Sequence, residues 1–381
     1  MKKIFTLLAL LIILTILPAV SAKAMESDAI QEQLESAGAS DLADSLPQES
    51  SKLLEQAYQG GFSIESMQNL ELGGVLNALA GSAKEQMKNP LNALIFIVGL
   101  IILCAVLGGM KEGLASGSMG TALSFMVSLA MSAVLILPVK EFMDKASQTI
   151  EGANVFLYAY VPVYAAAAAS AGEPLSAASY TAVTLGAAEL ISTLISTAVL
   201  PLMGIFLGVS LIASLSDGFK LEALAAGAES CVKWLLGILA TVFTGVLTVK
   251  SVVAGAGDSL SLRSAKFVVS TFVPIAGSTL GDSLAAVCSG MKYIKGTIGA
   301  FGLIAGGFIF IPIIMQNLLW MACVGIGSYT AEIFGVGEAA KLLKTVGSVL
   351  RIMLTLLLFV VMIMIISTAV LLITGGGGAN G

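Results

Sequence analysis

The sequence predicts an all-α polytopic membrane protein, with about six to eight transmembrane or re-entrant helices and additional interfacial amphipathic helices. Three observations predict it. Of 381 residues, 57% are hydrophobic and 11% are charged, against roughly 25% charge in average soluble domains. So little charge cannot coat a globule of this size, and lipid becomes the solvent for much of the surface. Apolar runs near the length needed to cross a ~30 Å hydrocarbon core recur along the chain. The chain also opens with the layout of an export signal.

That signal occupies residues 1–24. Lys2 and Lys3 form a positive start, and residues 4–17 are apolar apart from Thr6 and Thr15. Pro18 and small residues ending in Ala22 and Ala24 follow, which places cleavage after one of those two alanines. The apolar run is short for a spanning anchor, which needs about 20 residues. Residues 25–89 read as an exported leader. Lys23 to Lys88 holds four Lys against eleven Asp or Glu, whereas acids and bases balance from residue 90 onward. The acidity therefore belongs to the leader. Within it, Leu53, Leu54, Ala57 and Tyr58 share one helical face, and Leu72, Val75, Leu76 and Leu79 another. These stripes suit short helices lying on a membrane or a partner, or an acidic leader that is partly disordered.

Residues 90–374 form the expected membrane domain, beginning at Asn89-Pro90. Residues 91–110, 119–139, 190–215, 231–249 and 352–373 read as spans. Residues 297–327 are long and apolar, with Pro312 and the polar pair Gln316-Asn317 inside; such amides usually bond a neighbouring helix. Residues 153–171, which contain Pro162, either span or enter and return, and 267–290 are only weakly apolar. Pro162, Pro201 and Pro312 are the candidate helix breaks, because proline removes a backbone donor and crowds the preceding turn. Residues 329–347 read as one amphipathic helix, with Ile333, Val336, Ala340 and Leu343 on one face. Glu189 reads as an acid at a helix start. Residues 375–381 are a flexible Gly-rich tail.

Several function classes are disfavoured. The chain has no histidine, so the commonest general base and imidazole metal ligands are missing. Cys104, Cys231, Cys288 and Cys323 are far apart in or beside apolar stretches, which suits packing rather than a zinc site or a disulfide framework. There is no phosphate-binding GxxxxGK[ST] loop. No basic patch invites nucleic acid. No catalytic residue, cofactor or metal is expected. Six glycine pairs stand four apart, among them Gly204–Gly208, Gly277–Gly281 and Gly302–Gly306. A chain this rich in glycine gives roughly as many by chance, so they are a weak sign of helix packing.

The densest polar stretch is 257–287. On a helix, Ser259, Arg263, Lys266 and Ser270 share a face, and Asp258 is placed to cap the helix start. Pro274 then interrupts it before Asp282. Asp258, Arg263, Lys266, Pro274 and Asp282 are the candidate polar path or interface. A charge facing lipid at mid-membrane costs about 2.5–3.5 kcal/mol on insertion scales, so these groups should meet protein, water or headgroups. An interfacial helix explains them as well as a polar path does.

This stretch resembles the stage III sporulation protein AE family of endospore-forming Firmicutes. Asp258, the Leu262-Arg263-Ser264-Ala265-Lys266-Phe267 core, Phe272-Val273-Pro274, Gly277 and Asp282 carry the likeness. The signal-like start, the acidic leader, Pro162 with its alanine run, and residues 200–224 agree with it. The resemblance covers about residues 90–374 and brings no catalytic site. It implies a non-enzymatic membrane subunit of a sporulation transenvelope channel, similar in parts to secretion systems, in the mother-cell membrane around the forespore. The implied partners are membrane lipid, other stage III sporulation proteins and further copies of the chain, with no nucleic acid. A stand-alone secondary transporter with broken helices, or a purely structural scaffold, are the competing readings.

Overall fold

The computed structural model describes residues 42–58, 72–114, 118–214, 221–272 and 277–374. The described residues form α-helices, which we number α1 (Gln48–Ala57), α2 (Leu72–Leu114), α3 (Ser118–Ser170), α4 (Pro174–Leu194), α5 (Leu200–Ser214), α6 (Leu221–Phe272), α7 (Gly277–Ile333) and α8 (Gly337–Thr374). A π-helical turn, Ile195–Val199, joins α4 to α5. The signal-like start, residues 25–41 and 59–71 of the leader, and the Gly-rich tail lie outside the described residues.

Six helical stretches are long and apolar enough to cross a membrane: Gly73–Val106, Leu129–Ser170, Pro174–Val209, Ser230–Ser261, Gly290–Ile333 and Gly337–Ala369. The all-α polytopic class therefore holds. The elements are longer and fewer than the apolar runs suggested. Residues 119–139, the amphipathic stretch after them and 153–170 all belong to the 53-residue α3, about 80 Å at 1.5 Å per residue. The alternative that 153–171 enters and returns is replaced by one helix. Likewise α2 begins well before Asn89-Pro90 and runs through Pro90.

The prolines act unequally. Pro138 and Pro162 lie inside α3, and Pro312 lies inside α7, with the helix continuing through each. Pro201 follows the π turn, where the Leu200 N–H reaches back to the Ile195 carbonyl five residues earlier. Pro201 has no N–H for the carbonyl four residues before it, so a widened turn is a natural accommodation.

Packing centres on α7 and α8. In the most apolar stretch of α7, 89% of residues are buried, against 22% in α2 and in α6. The outer helices present large apolar side chains outward, such as Ile95 and Phe96 on α2 and Trp234 and Val253 on α6, as lipid-facing surfaces must. Asn317 donates from Nδ2 to the Leu350 carbonyl at 3.2 Å, tying α7 to α8 as its position in an apolar run predicted. Gly302 and Gly306 are true close-approach positions: a Cβ would overlap the Tyr160 ring at one and the Met364 methyl at the other. Gly204 and Gly208, with the same spacing, face open space.

The leader's first stripe forms as expected. Leu53, Leu54, Ala57 and Tyr58 are all buried, but against the chain's own α2 and α7 rather than a separate partner. Lys145 on α3 pairs with Glu49 at 3.0 Å. The second stripe is half right: Val75 is buried, while Leu76 is exposed and Ala78 takes its place inside.

Two connections are helix hairpins. At Ala171–Glu173, Gly172 has φ 88°. The Glu173 N–H donates to the Ala168 carbonyl and the Gly172 N–H to the Ala169 carbonyl, both at 3.0 Å. At Phe334–Val336, Gly335 has φ 71°, and the same pair of bonds runs from Val336 to Ala331 and from Gly335 to Glu332. Each is a Schellman stop with glycine at the left-handed position. The second turn overturns the expectation of one amphipathic helix over 329–347: Gly335 ends α7, and Ile333 is exposed.

Candidate functional site

The first hairpin turn carries the densest buried polar chemistry among the described residues. Pro174 occupies the first helical position of α4, where its missing N–H costs nothing. Glu173 flanks it as N-cap residue but makes no side-chain cap bond. The free first-turn N–H groups are instead satisfied from another helix. Asp258, inside α6, accepts from Leu175 N through Oδ1 and from Ser176 N through Oδ2, each at 2.8 Å. A carboxylate placed there also meets the positive end of the α4 dipole. Gly257 permits the approach, since a Cβ on it would lie 2.6 Å from Leu175 Cδ1. Asp258 therefore does not cap its own helix; it caps a helix 83 residues earlier in the chain, because α6 continues straight through residue 258.

The Glu173 side chain turns the other way. Its Oε2 accepts from Lys295 Nζ on α7 at 2.6 Å, with both side chains more than nine-tenths buried. A buried pair of this kind is weak evidence of added stability, yet losing one partner costs about 3–5 kcal/mol because the other charge stays buried. Oε1 of Glu173 has no hydrogen-bond partner among the described residues.

Next to this pair lies a tyrosine cluster. Tyr160 stacks on Phe156 (5.5 Å between centroids) and on Tyr164 (5.4 Å), and Tyr164 meets Tyr180 edge-on at 5.2 Å. The rings bury fully, with Tyr160 seated over Gly302. Such ring pairs contribute about 0.5–1.5 kcal/mol beyond area burial. The hydroxyls are a different matter. Those of Tyr160, Tyr164, Tyr180, Thr184 and Ser176 are buried with no hydrogen-bond partner among the described residues. Thr184, Ser367 and Thr368 are the hydroxyl neighbours of Tyr180. Each unpaired buried polar group costs about 1–3 kcal/mol, so their gathering at one place asks for a cause.

The structure redistributes the candidates read from 257–287. Asp258 is buried at the first turn, while Arg263 is exposed on the same helix. Lys266 and Asp282 sit on the helical backbones of α6 and α7, but their side chains, and Pro274 altogether, lie outside the described residues. Glu189 is also relocated. It stands late in α4, not at a helix start, and accepts from the Tyr158 hydroxyl at 2.8 Å on the exposed side. Sequence reasoning passed over Glu173, Lys295 and the tyrosines. The available signals were the Tyr160–Tyr164 spacing of one helical turn and Lys295, the last charge before a long uncharged run. No group of three metal-ligating side chains occurs among the described residues.

A sequence profile of Stage III sporulation protein AE matches residues 56–375. Over 209 residues the chain is 26% identical to the Stage III sporulation protein AE of Bacillus subtilis (strain 168), covering 54% of this chain and 52% of that protein. The matched stretch is thus about half the length of that relative. No solved structure matches the chain.

Proposed function

The chain belongs to the stage III sporulation protein AE family, a family of sporulation proteins, and from that premise we propose that this multi-pass membrane protein is a non-enzymatic subunit of a transenvelope, secretion-like channel complex between mother cell and forespore. Its place is the membrane base or pore of that complex, in the mother-cell membrane around the forespore. Its partners are membrane lipid, other stage III sporulation proteins and further copies of itself.

Helix length supports the subunit reading. The spanning stretches run from 32 to 44 residues, whereas about 20 suffice for the hydrocarbon core. At 1.5 Å per residue the longest reaches about 66 Å. Helices longer than the hydrocarbon core requires leave length over for docking partners outside it, which a compact carrier does not need.

Isolation of the full chain from sporulating cells in mild detergent tests the proposal. Co-isolation with other stage III proteins, together with no solute flux by the purified chain in liposomes, is the expected result. A chain that isolates alone and moves a solute unaided overturns it in favour of a secondary transporter. A chain that co-isolates, but whose partners still form a conducting complex without it, overturns the pore or base role in favour of a scaffold.

A further inference from the structure

We propose that the tyrosine seam between α3, α4, α7 and α8 is an internal water site, running from Glu173 Oε1 past Tyr164 and Tyr180 to Thr184 and Ser367. The bound ligand is water. The inference rests on the geometry of the seam and stands apart from the channel reading, so a dry seam leaves the subunit proposal intact.

Among the described residues, protein side chains alone do not account for the seam. Glu173 Oε1 and the hydroxyls of Ser176, Tyr160, Tyr164, Tyr180 and Thr184 are all buried and unpartnered among the described residues. They are not scattered. Tyr164 touches both Tyr160 and Tyr180 through its ring and lies in the field of Glu173. Tyr180 is surrounded by Thr184 of its own helix and by Ser367 and Thr368 of α8. Ser367 and Thr368 each donate to the Met364 carbonyl, at 3.2 Å, so their oxygens are left as acceptors towards the seam. Buried hydroxyls and a carboxylate oxygen gathered without a direct partner are the kind of group that an internal water satisfies.

The seam also has an outlet. A cleft between α3, α4 and α8 is lined by Asn154, Thr184 and Ser367 together with Ile191, Ile363 and Met364. Its free space accommodates about one water molecule. Thr184 and Ser367 belong to both the cleft and the surroundings of Tyr180, so water has a short route in. The same cleft is too small for a solute of metabolite size.

Radiolytic hydroxyl-radical footprinting of the full-length protein in lipid nanodiscs tests the proposal, because radicals form from water held beside a side chain. After correction for the intrinsic reactivity of each ring type, Tyr160, Tyr164 and Tyr180 are expected to be labelled several-fold faster than Phe142 and Phe310, which are equally buried in the hydrophobic core. Labelling of the three tyrosines at the rate of those phenylalanines overturns the proposal. A second measurement does not depend on labelling chemistry. In a dry seam, Tyr164→Phe removes an unpaired hydroxyl and raises the melting temperature; in a hydrated seam it removes a water partner and lowers it or leaves it unchanged. Thr184→Val should slow the labelling of Tyr180 more than that of Tyr160, and equal slowing of both counts against entry through the cleft.

Discussion

The turns at 171–174 and 334–337 share one backbone and differ in almost everything else. Both stop a long helix with glycine at positive φ. Both use the same two back-bonds, and both start the next helix within a residue. At the second, Phe334 and Gly335 are exposed, and the nearby ion pair, Lys344 to Glu332 at 2.6 Å, is more than two-fifths exposed on each side. At the first, Glu173 is buried with Lys295, Asp258 of a third helix holds the new N-terminus, and a column of tyrosines stands against it. The backbone motif is a way to reverse a helix. Chemistry enters where neighbouring helices close over the turn and charge can no longer be left to water.

The largest expected effect separates the two ion pairs. Lys295→Met leaves Glu173 buried without its cation and should destabilise the protein by about 3–5 kcal/mol. Lys344→Met at the exposed turn should cost under about 1 kcal/mol. Chemical unfolding of both variants in the same detergent measures the contrast, and equal losses would abolish it. Next comes the borrowed cap. Asp258→Ala strips the Leu175 and Ser176 N–H groups, one part-buried and one buried, of their acceptor, at about 1–3 kcal/mol. Asp258→Asn retains one acceptor oxygen and should fall between that variant and the parent. Hydrogen exchange at Leu175 and Ser176 reads this directly.

The glycines should behave alike. Gly172→Ala and Gly335→Ala each force a side chain into the left-handed region, at about 1–2 kcal/mol. Thermal melts that differ widely between the two would show that the backbones are not equivalent after all. The smallest effect lies outside both turns. Burial raises the Tyr58 hydroxyl well above its ordinary range, so the docked state of α1 holds the proton more tightly than the undocked state. Docking is therefore intact below the ordinary tyrosine value of about 10 and weakens as pH rises beyond it. Protease cleavage between α1 and α2, followed from neutral to alkaline pH, should quicken in that direction, while Tyr58→Phe removes the dependence.

By itself the sequence determined the class of molecule: low charge and long apolar runs leave a multi-helix membrane protein as the physical solution. It determined the buried face of α1, whose i, i+1, i+4, i+5 stripe is a local property, and the interhelical role of Asn317, since an amide in an apolar run must find a partner. It also marked 257–287 as polar and special. Only the tertiary structure decided what that meant. Asp258 looked like a cap for its own helix, because a cap is normally local, yet its acceptors serve α4 across 83 residues. The joining of 119–139 with 153–170 into one helix was hidden, because tertiary packing carries the helix through Pro138 and the charged stretch that seemed to end a span. Glu173 and Lys295 were invisible as a pair for a plainer reason. They are 122 residues apart, and nothing local to either predicts a partner that folding alone brings within 2.6 Å.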